Sequence, residues 1–491
     1  MRNKIKYILI VGMIGLTGVF TTSCSLEPEQ SNYKDNEKDP IKNAADMLAS
    51  LNGSYARMTA ASYYGRDIIA FSECRATYMY STGATGRFDN VSGFTLNPTQ
   101  AYPKDTWSQI YKVISNTNRI LEANVPEDEK VKYYKGQAYI IRALAHYDLV
   151  RLYGEQYVGG QGLNALGVPY KTTFKAIDEK IKRSTVGENM KDIFLDLDRG
   201  IDLMVKNDLG NNSKQRITLA AAYGLKSRIA LFFSKYDTSK LNIVVESAKL
   251  AMEKDKSPVM PRSSFLDAYK GDGIMSNSLF ELTQSGTDNK GTNSLFNIYV
   301  YDPRPETRGG YGDLIWIGST KEYFFPLSTV NGEPIDDIRS RVVGVLADKQ
   351  PYRNLGKYTS RTSNIRMLRI EEVMLNYIEA TINGATKGDR GLALGYLNQI
   401  VGERVEIGGG AYKYSILTFE DYKKERVKEL MFEGFAYEDI MRWGGKVTNP
   451  VLSTNTDIPS KEVKFGDALT AFPIPQSEIN VSKIEQNQAY K

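Results

Sequence analysis

Glu425-Arg426-Val427-Lys428-Glu429-Leu430-Met431-Phe432-Glu433-Gly434-Phe435-Ala436-Tyr437-Glu438-Asp439-Ile440-Met441-Arg442-Trp443-Gly444-Gly445 is the stretch on which the reading of this chain turns. Val427, Leu430, Met431, Ala436, Ile440 and Met441 recur at helical spacing while charges fill the other positions. That pattern predicts an amphipathic packing helix. Thr418 followed by Asp421 is an acidic form of the capping box and marks the start. Gly444-Gly445 marks the stop, because glycine tolerates the left-handed backbone that ends helices. Glu438 and Arg442 stand four apart, in the favourable order for an ion pair.

Upstream, the same periodicity recurs in pairs. Ile41, Ala44, Ala45, Leu48, Leu51 and Tyr55 trace one helical face. Helical patterns then cover Trp107 to Leu121, Val131 to Tyr153, Met190 to Val205, Thr218 to Phe233 and Ile243 to Met252, and later Ile370 to Ile382 and Gly391 to Val401. Small residues such as Ala143, Ala145, Ala220, Ala221 and Ala222 permit close helix approach. Pairs of this kind are similar to tetratricopeptide (TPR) repeats, with an irregular period. The fold class expected is therefore mainly α, a TPR-like helical-repeat scaffold. Two irregular excursions interrupt it: Ser81 to Asp105, and Pro258 to Arg369, where Ser278-Leu279-Phe280-Glu281-Leu282 reads as strand or turn. Downstream, Phe472-Pro473-Ile474-Pro475 cannot be helical and must run extended across a neighbour.

The chain starts with a basic cluster, Arg2, Lys4 and Lys6, an apolar run from Tyr7 to Phe20, and Thr21-Thr22-Ser23 before Cys24. This reads as an export signal over 1–23, too short for a membrane span, with Cys24 as the lipidated (palmitate-bearing) residue of a lipobox in which Thr21 replaces the usual Leu. Residues 24–40 read as a flexible tether and 41–491 as a single domain. Cys74 is the remaining thiol, with no partner for an internal disulfide. Of the 491 residues 41% are hydrophobic, ample for a large core, and the net charge of +5 falls to +2 without the three N-terminal cations. So near-neutral a chain carries no compositional case for nucleic acid.

The 425–445 stretch resembles the R-x-x-E-L-x-F-E-G-x-x-x-x-D-[LI]-x-R-W signature of the SusD/RagB family, nutrient-binding lipoproteins of the Gram-negative outer membrane. Other segments are similar to family blocks in the same order. They are Trp107 to Leu121, with Tyr111 and Asn118; Gly136 to Gly154, with Arg142-Ala143 and Leu149-Val150-Arg151-Leu152-Tyr153-Gly154; and Arg216 to Phe232. Ile370 to Ala380 resembles R-x-x-E-x-x-L-x-x-A-E-A, with Arg369 nearby and Ile378 in place of Ala. Leu397-Asn398 with Glu403-Arg404 resembles L-N-x-I-R-x-R. Phe472-Pro473-Ile474-Pro475, Glu478-Ile479, Gln486-Asn487 and Tyr490 resemble the family's end, with Gln488-Ala489 where Pro-Gly is usual. The resemblance implies a non-catalytic, surface-exposed lipoprotein, anchored in the outer membrane through lipid, whose partner is a TonB-dependent (SusC-like) transporter. Its cargo would be an oligosaccharide or, alternatively, a peptide. A hydrolytic enzyme and a structural repeat adaptor stand behind these as other classes.

The side-chain chemistry agrees with binding. His146 is the single histidine, so a triad or multi-histidine zinc site would have to rest on it alone, and its neighbours read as core. The carboxylate pairs Glu371-Glu372 and Asp336-Asp337 lack the cross-cleft spacing of a glycosidase, and the latter, with Arg339 and Arg341, reads as a salt-bridged turn. Gly159-Gly160-Gln161-Gly162 and Gly408-Gly409-Gly410 lack the ending of a phosphate loop. No catalytic residue, metal site or cofactor is expected. Sugars and peptides bind on aromatic rings flanked by a few polar groups. Trp107 and Trp443 belong to scaffold blocks, which leaves Trp316, with Tyr311, Asp313 and Arg308 beside it, as one candidate site. Tyr78, Tyr80, Arg87 and Asn90 in the first excursion form the other.

Overall fold

A computed structural model describes residues 41–174, 181–210, 213–301, 310–345, 351–448 and 461–491. The helices predicted from periodicity are present as α1 (Ala44–Met58), α2 (Ala101–Leu121), α3 (Glu129–Tyr153), α4 (Val186–Lys206), α5 (Leu219–Phe233), α6 (Lys240–Lys254), α7 (Ile370–Ile382) and α8 (Arg390–Gly402). Each packs against the next, from α1 on α2 through to α7 on α8. Because α6 lies directly on α7, the excursion between them interrupts the sequence but not the stack. Side-chain caps set several starts: Asp128 accepts from Val131 N at 2.8 Å, and Thr185 and Glu188 form a capping box. Glycines set a close approach between α3 and α4. A Cβ on Gly136 would stand 2.8 Å from the Gly200 carbonyl, and one on Gly200 2.7 Å from that of Gly136. Residues from Ile41 onward form one unit, and among the described residues no helix is long and apolar enough to cross a membrane.

Strands are short and sit in the excursions. They include β1 (Met79–Ser81), β2 (Ser278–Leu282), β3 (Leu314–Trp316) and β4 (Ile365–Arg369). β2 pairs antiparallel with β4, both wholly buried against the helices. β1 pairs antiparallel with β3 in the register Met79–Trp316, Tyr80–Ile315, Ser81–Leu314. That pairing joins the two excursions. The Phe472–Pro475 segment does run extended, its Phe472 N–H donating to Leu152 O at 2.8 Å at the end of α3.

The signature stretch differs from its sequence reading in two ways. It is two helices, α9 (Phe419–Leu430) and α10 (Ala436–Arg442), parted by a turn in which Phe432 and Gly434 take φ of 68° and 87°. The predicted start and stop hold: Thr418 accepts from Asp421 N at 3.1 Å, and Gly444 has φ 74°. The break is stable because buried charges satisfy its backbone. Glu73 accepts from Phe432 N and Gly434 N at 3.1 and 2.8 Å, while the Lys357 ammonium donates to the Glu429 and Met431 carbonyls at 2.9 and 3.0 Å.

Second, the charges are inside. Glu429, fully buried, meets Arg404 at 3.0 Å, Arg369 at 3.1 Å and Arg339 at 3.6 Å. Arg442 does not take Glu438, four residues back. It binds Glu379 of α7 in bidentate fashion at 2.8 and 2.7 Å and Asp439 at 2.7 Å. Glu438 turns instead to Arg151 at 3.3 Å and Arg75 at 3.7 Å. A partner offering two parallel hydrogen bonds in a buried setting outcompetes a single same-helix contact.

Candidate functional site

The β1–β3 pairing brings together loops that are far apart in sequence. Beyond β1 the chain turns through Thr82–Gly86, and Thr82 N donates to Asp313 O at 2.8 Å. Phe88 then takes φ 59° and stacks on Tyr102 at 4.9 Å between ring centroids, fully buried, so the loop pivots on a core aromatic. On the other side the chain must pass close under Val300 and Tyr301. Glycine is required there: a Cβ on Gly310 would meet Val300 O at 1.9 Å, and Gly312, at φ 58°, would meet the Tyr301 Cβ at 2.5 Å.

Four residues converge at this junction. Tyr311 is 44% exposed, and the Arg87 guanidinium lies 4.5 Å above its ring. The same guanidinium reaches Asp313 at 3.6 Å, beyond hydrogen-bond length. The Thr85 hydroxyl donates to the other Asp313 oxygen. Asp313 is 1% exposed, and burial raises its pKa against the opposing pull of Thr85 and Arg87. Beside this group Arg353 faces the Tyr301 ring at 5.0 Å and donates to the Gly312 carbonyl at 3.0 Å. Burial lowers its pKa. Tyr80 is half-buried next to it, its hydroxyl raised by desolvation and eased by Arg353. Together these make an exposed ring bordered by a cation, a carboxylate and a hydroxyl.

The predicted residues separate clearly. Tyr311, Asp313, Arg87 and Tyr80 are brought together. Asn90 lies on the same loop and is occupied with it, accepting from the Thr95 hydroxyl and amide, each at 2.9 Å, through its side-chain and backbone oxygens. Trp316 is a correction to the expectation of a free ring. It is 1% exposed, packed on Tyr78 at 5.0 Å and Phe432 at 5.4 Å, so it serves the core. Tyr78 is buried with it. The cause is the β1–β3 pairing, which sets Trp316 opposite Met79 in a strand whose three residues are all buried. Arg308 and Cys24 lie outside the described residues. Sequence reading missed Thr85 and Arg353; the Tyr352-Arg353 pair, an aromatic beside a cation inside an irregular excursion, was the available signal.

His146 is core, as expected. It stacks on Tyr170 at 3.7 Å, one ring nitrogen meets the Arg142 carbonyl at 2.9 Å and the other accepts from Lys171 N at 3.0 Å. Burial holds its pKa down at about 3. Cys74 is buried and unpaired.

Comparison with known proteins agrees with this architecture. Residues 29–231 match a SusD-like family model described as starch-binding associating with outer membrane, and residues 342–490 match the SusD family model. SusD-like protein P2 of Formosa agariphila is 34% identical over 167 residues, which take in 31% of this chain and only 30% of that relative. A crystal structure from Bacteroides vulgatus superposes with a TM-score of 0.77 at 26% identity, covering 92% of this chain and 99% of the other. Surface glycan-binding protein A of Bacteroides fluxus superposes with a TM-score of 0.71 at 22% identity, covering 92% and 100%. With the buried signature charges, the unbroken helical stack and matches at both ends of the chain in hand, this chain belongs to the SusD/RagB family.

Proposed function

We propose that this protein captures an oligosaccharide at the outer-membrane surface and passes it to a partner TonB-dependent transporter, without breaking bonds. The carrying observation is the exposed Tyr311 ring, held beneath Arg87 and beside Asp313 and Thr85 on loops that a rigid helical stack positions. A pyranose lays its C–H face on such a ring while its hydroxyls exchange hydrogen bonds with flanking polar groups. The family descriptions of starch binding and the glycan-binding relative support this cargo class. Lipid attachment at Cys24 supplies the anchor in this reading.

A peptide is the second reading. It draws on the burial of Trp316, which leaves a tyrosine as the open ring of the site. Glycan-array screening followed by calorimetry, run in parallel with peptide digests, separates the two. The oligosaccharide reading expects saturable glycan binding that Tyr311→Ala weakens by about tenfold; binding to peptides alone would sink it. Co-purification of a transporter from detergent-solubilised membranes, lost on Cys24→Ser, tests the delivery role.

A further inference from the structure

Among the described residues, the guanidinium groups at the Arg87 site outnumber the acids that face them. Asp313 is the carboxylate on which Arg87, Arg66 and Arg353 all act. Arg66 has its own partner, Asp67, at 2.6 Å. Among the described residues Arg353 donates to the carbonyls of Gly312 and Pro351, at 3.0 and 3.3 Å. That leaves two guanidinium groups sharing one buried carboxylate.

Arg87 is also poorly satisfied. Its Nη1 and the facing Asp313 Oδ2 make no hydrogen bond, and 3.6 Å separates them. Arg442 and Arg339, in contrast, each hold a carboxylate closely, Glu379 at 2.8 and 2.7 Å and Glu425 at 2.6 Å, even though another acid, Glu429, stands 3.6 Å from Arg339. The Arg87 side chain is 25% exposed, and its guanidinium carbon stands 4.5 Å from the centroid of an exposed ring. Nη1 itself is buried against Asp313, so an anion arriving from the solvent side would meet the guanidinium's other nitrogens.

We propose that the site selects a negatively charged sugar residue, whose carboxylate or sulfate ester is bound by Arg87 while its ring rests against Tyr311. This rests on the oligosaccharide reading and narrows it. Arg353 adds a second positive charge nearby, and the Thr85 hydroxyl fixes Asp313, the acid that faces Arg87.

The test uses calorimetry on the full mature chain with matched probes. One pair is oligogalacturonate and its carboxyl-reduced neutral counterpart; the other is a sulfated galactan oligosaccharide and the same chain desulfated. At least one charged probe is expected to bind about tenfold or more tighter than its neutral partner, the range of a charge-assisted hydrogen bond. The gap should close in Arg87→Gln, persist in Arg87→Lys and shrink with added salt, and the two pairs tell carboxylate from sulfate. Unchanged melting of both variants shows that the loop still folds; if Arg87→Gln melts lower, the salt dependence of the wild-type gap decides in its place. Neutral probes binding as well as the charged ones would overturn this proposal and leave oligosaccharide capture standing. Binding of peptides and of no glycan would overturn both.

Discussion

The α9–α10 signature and the Arg87–Tyr311 junction are built from the same residue types, arginines, acids and aromatics, with opposite outcomes. In the signature, Glu429 meets three buried arginines, Arg442 grips Glu379 twice, and even the helix break has its amides and carbonyls bonded by Glu73 and Lys357. At the junction, Arg87 stands off from Asp313, and the Tyr311 ring is open. Gaps of similar length occur inside the scaffold too, Arg339 to Glu429 at 3.6 Å and Arg75 to Glu438 at 3.7 Å, but those side chains are sealed in. At the junction, by contrast, Arg87 and Tyr311 reach solvent; a group enclosed by the protein has little to offer a ligand.

Breaking the saturated side has the largest expected effect. Glu429→Ala leaves Arg404, Arg369 and Arg339 buried without a shared acid, and about 3–5 kcal/mol of stability should be lost in denaturant unfolding. An unchanged midpoint would mean the network is solvated. Trp316→Ala, at the edge of the site but inside the core, should also cost about 3–5 kcal/mol, with its binding defect tracking the unfolded fraction. Stable protein with lost binding would instead return Trp316 to the ligand site.

Acid should weaken the scaffold in a defined window. Burial works to raise the Glu379 carboxyl, but Arg442, Arg426 and Tyr422 outweigh it and hold the pKa at about 2. A carboxyl lowered on folding contributes its stability above the unfolded value and loses it as pH falls through the folded one. Its share, about 3 kcal/mol, should therefore fade between roughly pH 4.5 and 2. Glu379→Gln should flatten that limb of a stability–pH curve. Glu73 works in the reverse direction. Burial, against the amides of Gly434 and Phe432, pushes it up to about 7, so its contribution favours folding at lower pH and declines as pH rises from about 4.5 towards 7.

On the open side, Tyr311→Ala should leave the melting temperature within error and weaken glycan binding by about tenfold, read by calorimetry. A shifted melting point would class Tyr311 with the scaffold. The smallest effect belongs to His146: with its pKa near 3, its ring proton resonances should not move between about pH 5 and 8. A midpoint inside that range would show that the ring is reached by water.

Periodicity made the helical stack legible, as in the agreement between Ile370 to Ile382 in the sequence and the α7 helix over the same residues. Caps and glycine stops were legible too, because Thr418 and Gly444 act on backbone within a few residues of themselves. The break at Phe432 was hidden, since the groups that satisfy it, Glu73 and Lys357, are remote in sequence. Of the candidate site, the loops were legible as aromatic, polar excursions, and Tyr311, Asp313 and Arg87 were named from them. Their meeting depends on the β1–β3 register, and so does the turning inward of Trp316.

By itself, then, the sequence determined the helical stack and its ends, because periodic burial and capping are local and repeat along the chain, and its motifs carried the resemblance to the family. Only the tertiary structure decided which charges are spent inside the protein and which face outward. Glu438 or Arg87 acquires its role from partners brought near by folding, and no spacing along the chain encodes how well those partners satisfy it.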